Sequence, residues 1–370
     1  MYLILLLGLL LVLTLQRVLT QNLWKRGLGV TLHFRDSYIY EGDSSVLQEI
    51  VVNDKSLPLP ALEVRLSMSP YLVFTGEAKS NSGVSDQTYK RDVFSFLFHQ
   101  QVTRSLSFCG IRRGCYHIRQ ADVKAYDFFY RDCGYASYPQ DTMLYVYPAQ
   151  VDSRRIDTIC TAISGSVLVQ NSLFPDPFEF CGIREYVPSD PMNRINWKAS
   201  ARIDQTMVNQ FDSTTNLDLA VVFDLEDSRI LKENALVEET IRIAASLTTR
   251  LIRQRMSVSL HSNAAIPEVD GIYHREIPAE TGQIAQLNQQ LACIDGVTSS
   301  SVELLTSLSL ANEQLLVLIS KNVSEDILAA IRALADASHP VLWVIPRHPA
   351  NEEPLPELPY VRTLVWEVAL

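Results

Sequence analysis

The hydrophobic period of the chain changes once, near the middle, and this change divides its soluble part into two kinds of fold. From Val30 to about Tyr147, apolar and polar residues alternate in short runs, which are separated by turn-forming segments such as Glu41-Gly42-Asp43. A period of two buries one face of each strand. Six to eight strands at this spacing predict a β-sandwich over residues 28–150. The alternating residues are Val30, Leu32, Phe34, Leu62, Val64, Leu66, Met68, Phe94, Phe96, Phe98, Leu144 and Val146.

After Leu217 the pattern becomes an alternation of strands and helices. Short apolar runs at 219–223, 258–260, 315–319 and 341–345 are typical of strands buried on both faces, and 363–368 predicts one more. Amphipathic stretches predict helices at 233–254 and at 327–335, the second after a capping pattern of Asn322 and Glu325. Repeated strand–helix–strand units predict a parallel sheet with right-handed crossovers. We therefore expect a Rossmann-like α/β domain over residues 217–370, in a chain that is multidomain α+β.

The N-terminus is apolar enough to cross a membrane. Residues 1–15 are apolar except for Thr14, and the run resumes as far as Leu19. As a helix this stretch reaches about 28 Å, against a hydrocarbon core of roughly 30 Å. A secretory signal peptide needs a positive n-region and a small-residue cleavage site, and both are missing. The sequence predicts an uncleaved transmembrane helix at 1–22, with a cleaved signal or a buried core helix as the alternatives.

Basic residues flank the apolar run on one side alone. Those closest to it all follow it, and they are Arg17, Lys25, Arg26 and Arg35. Because cytoplasmic flanks carry the excess of Lys and Arg, we expect a single-pass protein whose soluble domains lie in the cytoplasm. Trp24 is predicted to sit at the lipid interface beside Lys25 and Arg26.

Composition excludes several classes of function. A net charge of -10 and a pI near 5.2 argue against nucleic-acid binding. The seven His are scattered, and no Ser-His-Asp arrangement or Gly-rich phosphate loop is present, so we predict no enzyme and no nucleotide. The six Cys form no C-x-x-C pair, and we expect Cys109 and Cys115 to stay unpaired. The aromatic residues Tyr126 and 128–130 are predicted to pack in the sandwich core and its loops.

A signature segment lies between the two halves, within residues 151–216. It reads Gly182-Ile183-Arg184-Glu185-Tyr186-Val187-Pro188-Ser189-Asp190 and then Arg194-Ile195-Asn196-Trp197-Lys198-Ala199-Ser200-Ala201-Arg202. This closely resembles the signature of the bacterial domain of unknown function 58 (DUF58) family: Gly-hydrophobic-Arg-Glu-Tyr, a Pro-Gly-Asp turn, Arg-x-Ile-x-Trp and Ser-Ala-Arg. Ser189 stands where the turn usually has Gly, which suggests a turn without positive φ.

The resemblance implies a membrane anchor, a β-sandwich and a von Willebrand factor A-like fold for residues 217–370. It also implies a cytoplasmic partner, since members of such families often sit beside MoxR-type AAA+ ATPases. Many relatives begin with two membrane helices, whereas this chain shows one apolar run.

The signature gathers charged and aromatic residues within about twenty positions. Two interpretations remain open: a structural clasp of ion pairs and buried aromatics, which we favour slightly, or an exposed docking surface rich in interface hot-spot residues. The residues concerned are Arg184, Glu185, Tyr186, Asp190, Arg194, Trp197, Lys198 and Arg202.

The loop after the first strand of the α/β domain is a candidate for a metal site. Von Willebrand factor A-like domains that bind Mg²⁺ carry Asp-x-Ser-x-Ser there, and this chain has Asp224-Leu225-Glu226-Asp227-Ser228. Asp224 and Ser228 keep the outer positions, but Glu226 replaces the middle Ser. We therefore predict a solvated acidic loop and no cofactor, with a Mg²⁺ site as the alternative.

Together these features predict a membrane-tethered, non-enzymatic interaction protein that works with a MoxR-like ATPase. The alternative is a metal-dependent ligand-binding protein or enzyme that uses the loop from Asp224 to Ser228.

Overall fold

The computed structural model describes most of the chain, which divides into two compact units. The described residues are 2–76, 82–84, 88–173, 180–187, 192, 195–203, 205–211, 219–227, 233–267, 271–278, 280–308, 315–336, 339–351 and 354–368. One unit comprises Met1–Ala149 and Asn288–Cys293, and the other Gln150–Leu287 and Ile294–Leu370. We call them the sandwich unit and the α/β unit.

The sandwich unit begins with helix α1 (Tyr2–Leu23). Among the described residues, α1 is the one helix long and apolar enough to cross a membrane; its window Leu6–Leu23 has a mean hydropathy of 1.4 and is almost entirely exposed. Trp24 differs from the prediction, because it is buried in the sandwich core rather than placed at a lipid interface. Its indole lies so close to Gly134 that a Cβ there would overlap the ring.

Two β-sheets follow α1 and share one hydrophobic core. Their strands run in the orders β1-β3-β8-β5 and β2-β10-β9-β4-β7-β6. The strands are β1 (Leu28–Phe34), β2 (Tyr38–Tyr40), β3 (Ser44–Asn53), β4 (Leu59–Met68), β5 (Leu72–Phe74), β6 (Ser82–Val84), β7 (Thr88–Phe96), β8 (Gln100–Gly110), β9 (Gly114–Tyr126) and β10 (Asp132–Tyr147). The sheet-rich N-terminal region is thus a β-sandwich, as the alternating pattern predicts.

One detail of the sandwich prediction is wrong, and a second is met only in part. Phe98 was expected to continue the buried face of its strand, but β7 ends at Phe96 and Phe98 is exposed. Of the aromatic residues predicted to pack in the sandwich core and its loops, 128–130 lie in the turn between β9 and β10, where their side chains are exposed and Tyr130 stacks on Tyr126. A hairpin turn projects beyond the sheet, so its side chains have no facing layer to pack against.

The α/β unit contains a six-stranded sheet in the order β15-β14-β13-β16-β17-β18. Every neighbouring pair is parallel except β14 and β15. Its strands are β13 (Leu219–Phe223), β14 (Val258–Ser262), β15 (Tyr273–Ile277), β16 (Leu315–Ile319), β17 (Val341–Arg347) and β18 (Val361–Glu367). The predicted strands are present, whereas β15, with its polar alternation, was not predicted.

Helices cover this sheet on both faces. They are α4 (Asn234–Arg253), α6 (Ser301–Thr306) and α7 (Glu325–Leu334). Helix α5 (Gln283–Ala292) is divided between the two units at Asn288. Apolar residues of α6 and α7 pack against Ala220 and Val222. The alternate residues of β13 point to the other face and are equally buried, and α4 contacts β13. The N-cap of α7 is Ser324, not Asn322 as predicted.

The signature segment forms a small substructure of the same unit. It follows helix α2 (Ser153–Leu173) and consists of β11 (Phe180–Glu185), α3 (Trp197–Ile203) and β12 (Met207–Phe211), with β11 and β12 paired antiparallel. We call these three elements the signature module.

Candidate functional site

Asp224 lies at the carboxyl edge of the α/β sheet, where three parallel strands end side by side. Phe223 of β13 is in register with Ser262 of β14 and with Ile319 of β16. Since β14 and β16 lie on opposite sides of β13, this is the point where the strand order reverses, which is where open α/β sheets bind ligands. The next residues along the three strands are Asp224, Asn263 and Ser320.

The Asp224 carboxylate is buried in a network of neutral hydrogen-bond donors. Its side chain is 2% exposed, so the expectation of a solvent-facing loop is wrong for this residue. Its Oδ1 accepts hydrogen bonds from Asn263 Nδ2 at 2.8 Å and from the Glu226 backbone N–H at 3.0 Å. Its Oδ2 accepts from Ser301 Oγ (2.8 Å), Ser320 Oγ (2.7 Å) and Asn322 Nδ2 (2.9 Å). These donors replace the water that a buried carboxylate loses.

Glu226 belongs to the same network through Ser301. The Glu226 Oε2 atom lies 2.5 Å from the Ser301 backbone nitrogen and 2.7 Å from Ser301 Oγ. Ser301 Oγ is therefore within hydrogen-bond distance of two carboxylate oxygens, those of Asp224 and Glu226. A hydroxyl has one hydrogen to donate. The Ser301 hydroxyl therefore shares its hydrogen between the two carboxylates or donates it to one of them at a time.

The remaining acidic residue of the loop faces elsewhere. Asp227 Oδ2 lies 2.7 Å from Lys321 Nζ in an ion pair whose side chains are both almost fully buried. Ser228, the last residue of the predicted metal set, lies outside the described residues. Within the described ranges, no group of three or more His, Cys, Asp or Glu residues is arranged to hold a metal ion. The metal assignment of Asp224, Glu226 and Ser228 stays a prediction.

A cleft of about 520 Å³ opens beside this network, at the carboxyl ends of β16 and β17. Lys321 is at its wall, so the buried ion pair with Asp227 joins the cleft to the acidic loop. The cleft carries both charges and apolar carbons: its lining includes Glu233, Leu236, Lys321, Val323, Arg347 and His348.

The signature module is held together by residues other than those singled out from the sequence. Asn196 caps α3, because its Oδ1 accepts the Ala199 N–H at 3.0 Å. Its Nδ2 donates to Asn209 Oδ1 at 2.7 Å, which ties the start of α3 to β12. Ser200 Oγ accepts the Met207 N–H at 2.8 Å and fastens the same helix a second time.

The charged and aromatic residues of the module point outward instead. Trp197 is 69% exposed, and Arg184, Glu185 and Arg202 are exposed as well. Arg184 donates to the carbonyl of the adjacent Glu185 at 3.1 Å. The clasp that we favoured from the sequence is therefore wrong for Trp197. The other aromatic residue of the signature, Tyr186, is half-buried. Asp190 and Arg194 lie outside the described residues.

Sequence reasoning missed most of the polar partners of Asp224. They are Asn263, Ser301, Ser320 and Asn322. A signal for two of them was present, since Asn263 and Ser320 directly follow strands β14 and β16, and the carboxyl ends of parallel strands meet at one edge.

Comparisons with solved structures yield low similarity scores. A non-cellulosomal cohesin from Archaeoglobus fulgidus matches with a TM-score of 0.22 and 12% identity, covering 32% of this chain and 90% of the cohesin. The CARDB domain of the PF1109 protein from Pyrococcus furiosus matches with a TM-score of 0.20 and 11% identity, over 32% of this chain and 94% of that domain. Scores of this size do not establish a shared fold.

Sequence comparisons find similar proteins for the α/β half of the chain. An uncharacterized protein of Bacillus subtilis (strain 168), YeaD, is 25% identical over 179 residues, which are 47% of this chain and 42% of YeaD. The chain thus spans less than half the length of this curated relative. The family described as "Protein of unknown function DUF58" matches residues 182–363, which include both Trp197 and the Asp224 network. We therefore place residues 182–363 of this chain with the DUF58 family.

Proposed function

We propose that this chain is a membrane-tethered, non-enzymatic interaction protein whose signature module docks a cytoplasmic protein partner. One observation carries the proposal: the Trp197 side chain is 69% exposed although an indole is among the most costly side chains to leave in water. Trp and Arg dominate the hot spots of protein interfaces, and exposed Arg184 and Arg202 belong to the same module. An apolar helix at the N-terminus supplies the tether.

The signature segment also exposes apolar side chains. Ile183 and Val187 are more than two-fifths exposed, and Met192 is three-quarters exposed. Exposed apolar side chains rimmed by charges are typical of binding sites for proteins. Because Asn196 and Ser200 fix α3 to β12, the indole is presented from a braced helix, which reduces the entropy lost on docking.

The partner we propose is a MoxR-like AAA+ ATPase, as the family resemblance implies. In this proposal the partner carries out any ATP hydrolysis. Asp224, Glu226 and Asp227 of this chain are engaged in hydrogen bonds and an ion pair within the α/β unit. A von Willebrand factor A-like fold for the α/β half is part of the same proposal. It is supported by the strand order, in which β13 is central and β15 is antiparallel.

Trp197→Ala is expected to abolish docking without unfolding the chain. Truncation of a central hot-spot residue costs 2 kcal/mol or more, which raises the Kd about 30-fold, whereas an exposed substitution changes stability by about 0.5 kcal/mol at most. The measurement is affinity capture of the detergent-solubilised full chain from cell membranes and cytosol, with the AAA+ ATPase quantified by mass spectrometry and the thermal midpoint recorded in parallel.

Tyr89→Ala is the matched control, since Tyr89 is a comparably exposed aromatic residue of the sandwich unit. Wild type and Tyr89→Ala should capture equal amounts of the ATPase. A clear fall in the thermal midpoint of Trp197→Ala would restore the clasp interpretation, and equal capture by all three proteins would contradict docking through this module.

A specific contact favours a second candidate function, a metal-dependent ligand-binding protein or enzyme. Asp224 and Glu226 both approach Ser301 Oγ, which brings two carboxylates close together, and carboxylate oxygens are the ligands that a hard cation prefers. Mg²⁺ bound there would supply positive charge for an anionic ligand. Against this, Asn322 Nδ2 lies 2.9–3.0 Å from Asp224 Oδ2, the Glu226 carbonyl and Ser301 Oγ, so an amide donor already serves these oxygens.

The non-enzymatic proposal predicts that Mg²⁺ leaves the stability of the protein unchanged. A native-state site at a hundredfold excess of Mg²⁺ over its Kd would add about 2.7 kcal/mol to the free energy of unfolding. Thermal midpoints of the wild type in millimolar Mg²⁺ and in EDTA should therefore coincide. A rise that requires Mg²⁺, and that is lost in Glu226→Gln, would favour the metal-dependent candidate instead.

A further inference from the structure

Four chain connections meet at one end of the sandwich. In one sheet, Asn53 at the end of β3 is in register with Leu28 at the start of β1 and with Gln100 at the start of β8. In the other sheet, β4 pairs its first residues with the last residues of β7 and β9. The four connections are therefore α1–β1 (24–27), β3–β4 (54–58), β7–β8 (97–99) and β9–β10 (127–131). We call this the helix end of the sandwich.

Hydrogen bonds tie the base of α1 to this end. Lys55 Nζ donates to the Trp24 carbonyl at 2.7 Å, and the Asp54 N–H donates to the Gly27 carbonyl at 2.7 Å. The β7–β8 turn joins them, because the His99 N–H donates to the Lys55 carbonyl at 3.1 Å. Since Trp24 is also buried in the sandwich core, α1 leaves the sandwich from a fixed position among these turns.

The same end exposes large apolar side chains on two turns. Leu97 and Phe98 of the β7–β8 turn are 64% and 59% exposed. Phe128, Phe129 and Tyr130 of the β9–β10 turn are 55%, 55% and 68% exposed. A cluster of exposed apolar side chains on a soluble domain marks a contact surface. Here the cluster lies beside the root of the apolar helix.

The β9–β10 turn is braced in its exposed conformation by a buried carboxylate. Asp127 Oδ1 accepts the backbone N–H groups of Phe129 at 2.9 Å and Arg131 at 2.8 Å, and its Oδ2 accepts Arg131 Nε at 3.0 Å. Tyr130 adopts a positive φ of 58° and donates its N–H to the Asp127 carbonyl at 3.0 Å. Tyr130 stacks on Tyr126 at 5.2 Å and Arg131 packs over the Phe129 ring, so the turn keeps a defined conformation while all three aromatic side chains remain more than half exposed.

Positive charge accompanies these apolar side chains, in a chain whose net charge is -10. Lys25 and Arg26 are exposed at the base of α1, whereas Arg131 of the aromatic turn is ion-paired with the buried Asp127. The exposed Asp54 of this end is paired with His99 at 2.9 Å. Aromatic rings beside Lys and Arg are the combination found where proteins meet the headgroup region of a bilayer, and anionic lipids attract such basic residues.

We propose that the β7–β8 and β9–β10 turns insert their apolar side chains into the interfacial region of the bilayer that α1 enters. The ligand of this surface is the phospholipid interface itself. The inference concerns the sandwich unit and goes beyond the docking of a protein partner by the signature module. It uses α1 as the membrane tether and adds a second contact, which fixes the sandwich against the bilayer instead of letting it swing on a single helix.

Lipid quenching of a new indole tests the insertion directly. The full-length Phe129→Trp chain is reconstituted into phosphatidylcholine and phosphatidylglycerol vesicles, with and without brominated acyl chains, and its emission is compared with that of the wild type. At an interfacial depth of 5–10 Å, we expect the brominated lipids to remove roughly half of the added emission. Ile111→Trp is the matched control, because Ile111 is similarly exposed at the opposite end of the sandwich, after β8.

Flotation separates failure of the tether from failure of the surface. A chain that floats with the vesicles and shows selective quenching at position 129 supports the proposal. Floating without quenching, or with equal quenching at positions 129 and 111, overturns it while leaving the tether intact. A chain that does not float overturns the tether and this proposal together. Phe98→Trp repeats the test on the other turn, so that misfolding of one variant does not decide the outcome.

Discussion

Asp224→Ala lowers the free energy of unfolding of the α/β unit by about 3–5 kcal/mol, because it removes the acceptor from a buried donor network. The carboxylate accepts hydrogen bonds from both sides of β13 and from the start of α6. The buried Ser320 Oγ and Asn263 Nδ2 lose the carboxylate to which they donate. This expectation replaces the tolerance that a solvent-facing loop would allow.

Asp224→Asn removes the charge and keeps one acceptor oxygen, which can serve the donors on one side of the carboxylate. Its NH₂ group faces the donors on the other side, so its cost should be about 1–3 kcal/mol, less than that of alanine. The measurement is denaturant unfolding of the solubilised chain by circular dichroism. Glu276→Ala is the control, since it removes an exposed carboxylate from the edge strand β15 and should change stability by about 0.5 kcal/mol at most. Equal midpoints for wild type and Asp224→Ala would show that the network does not stabilise the fold.

Glu49→Gln raises the stability of the sandwich at pH 8 and leaves it nearly unchanged at pH 4. Glu49 is fully buried, and burial, followed by the negative charge of Asp92, raises the pKa of its carboxyl to about 8. The nearby cations are engaged with Asp92: Arg104 Nη1 lies 2.6 Å and Lys90 Nζ 3.2 Å from Asp92 Oδ1. Glu49 is therefore held in its neutral form in the folded chain.

The sign of the effect follows from the raised pKa. The unfolded chain releases the Glu49 proton near pH 4.5, whereas the folded chain keeps it until about pH 8, so the wild type loses stability as pH rises through this window. The full shift corresponds to about 5 kcal/mol. Glutamine is neutral at every pH and preserves the shape, so the variant should lack this loss.

Thermal midpoints at pH 4, 6 and 8 for wild type and variant provide the measurement. The difference between the two proteins should grow with pH. Glu357→Gln, which removes an exposed carboxylate, should show no such growth. A Glu49→Gln variant that parallels the wild type at all three pH values would mean that Glu49 is ionised in the folded state.

The strands and helices of both units could be predicted because their patterns are local. Val30, Leu32 and Phe34 alternate along β1 and are all buried, and the five-residue apolar runs of β13 and β16 are buried at every position. Side-chain direction repeats every two residues in a strand and every 3.6 in a helix, so periodicity along the sequence reports burial directly. Strand β15 escaped because its alternation, Tyr-His-Arg-Glu-Ile, buries only its two ends.

Of the residues that form the candidate site, only Asp224 could be predicted from the sequence. The spacing after β13 singled out Asp224, but its partners stand 39 to 98 positions further along the chain. Which of those residues meet depends on β14 and β16 lying on either side of β13, and nothing in the local pattern specifies that order. The loop consequently looked like a solvated acidic cluster when it is in fact a buried hydrogen-bonded one.

The sequence by itself determined the apolar N-terminal helix, the two kinds of soluble fold and the DUF58 signature, because each depends on a pattern of residues that are neighbours along the chain. Only the tertiary structure decided which side chains of those segments meet water. Trp24, predicted at a lipid interface, is buried against Gly134, while Trp197, which the clasp interpretation would bury, is exposed. Transfer of an apolar side chain out of water is favourable in free energy, and the sequence reveals which side chains are apolar. Burial also requires a second surface that covers the side chain, and this surface comes from distant parts of the chain or from a partner.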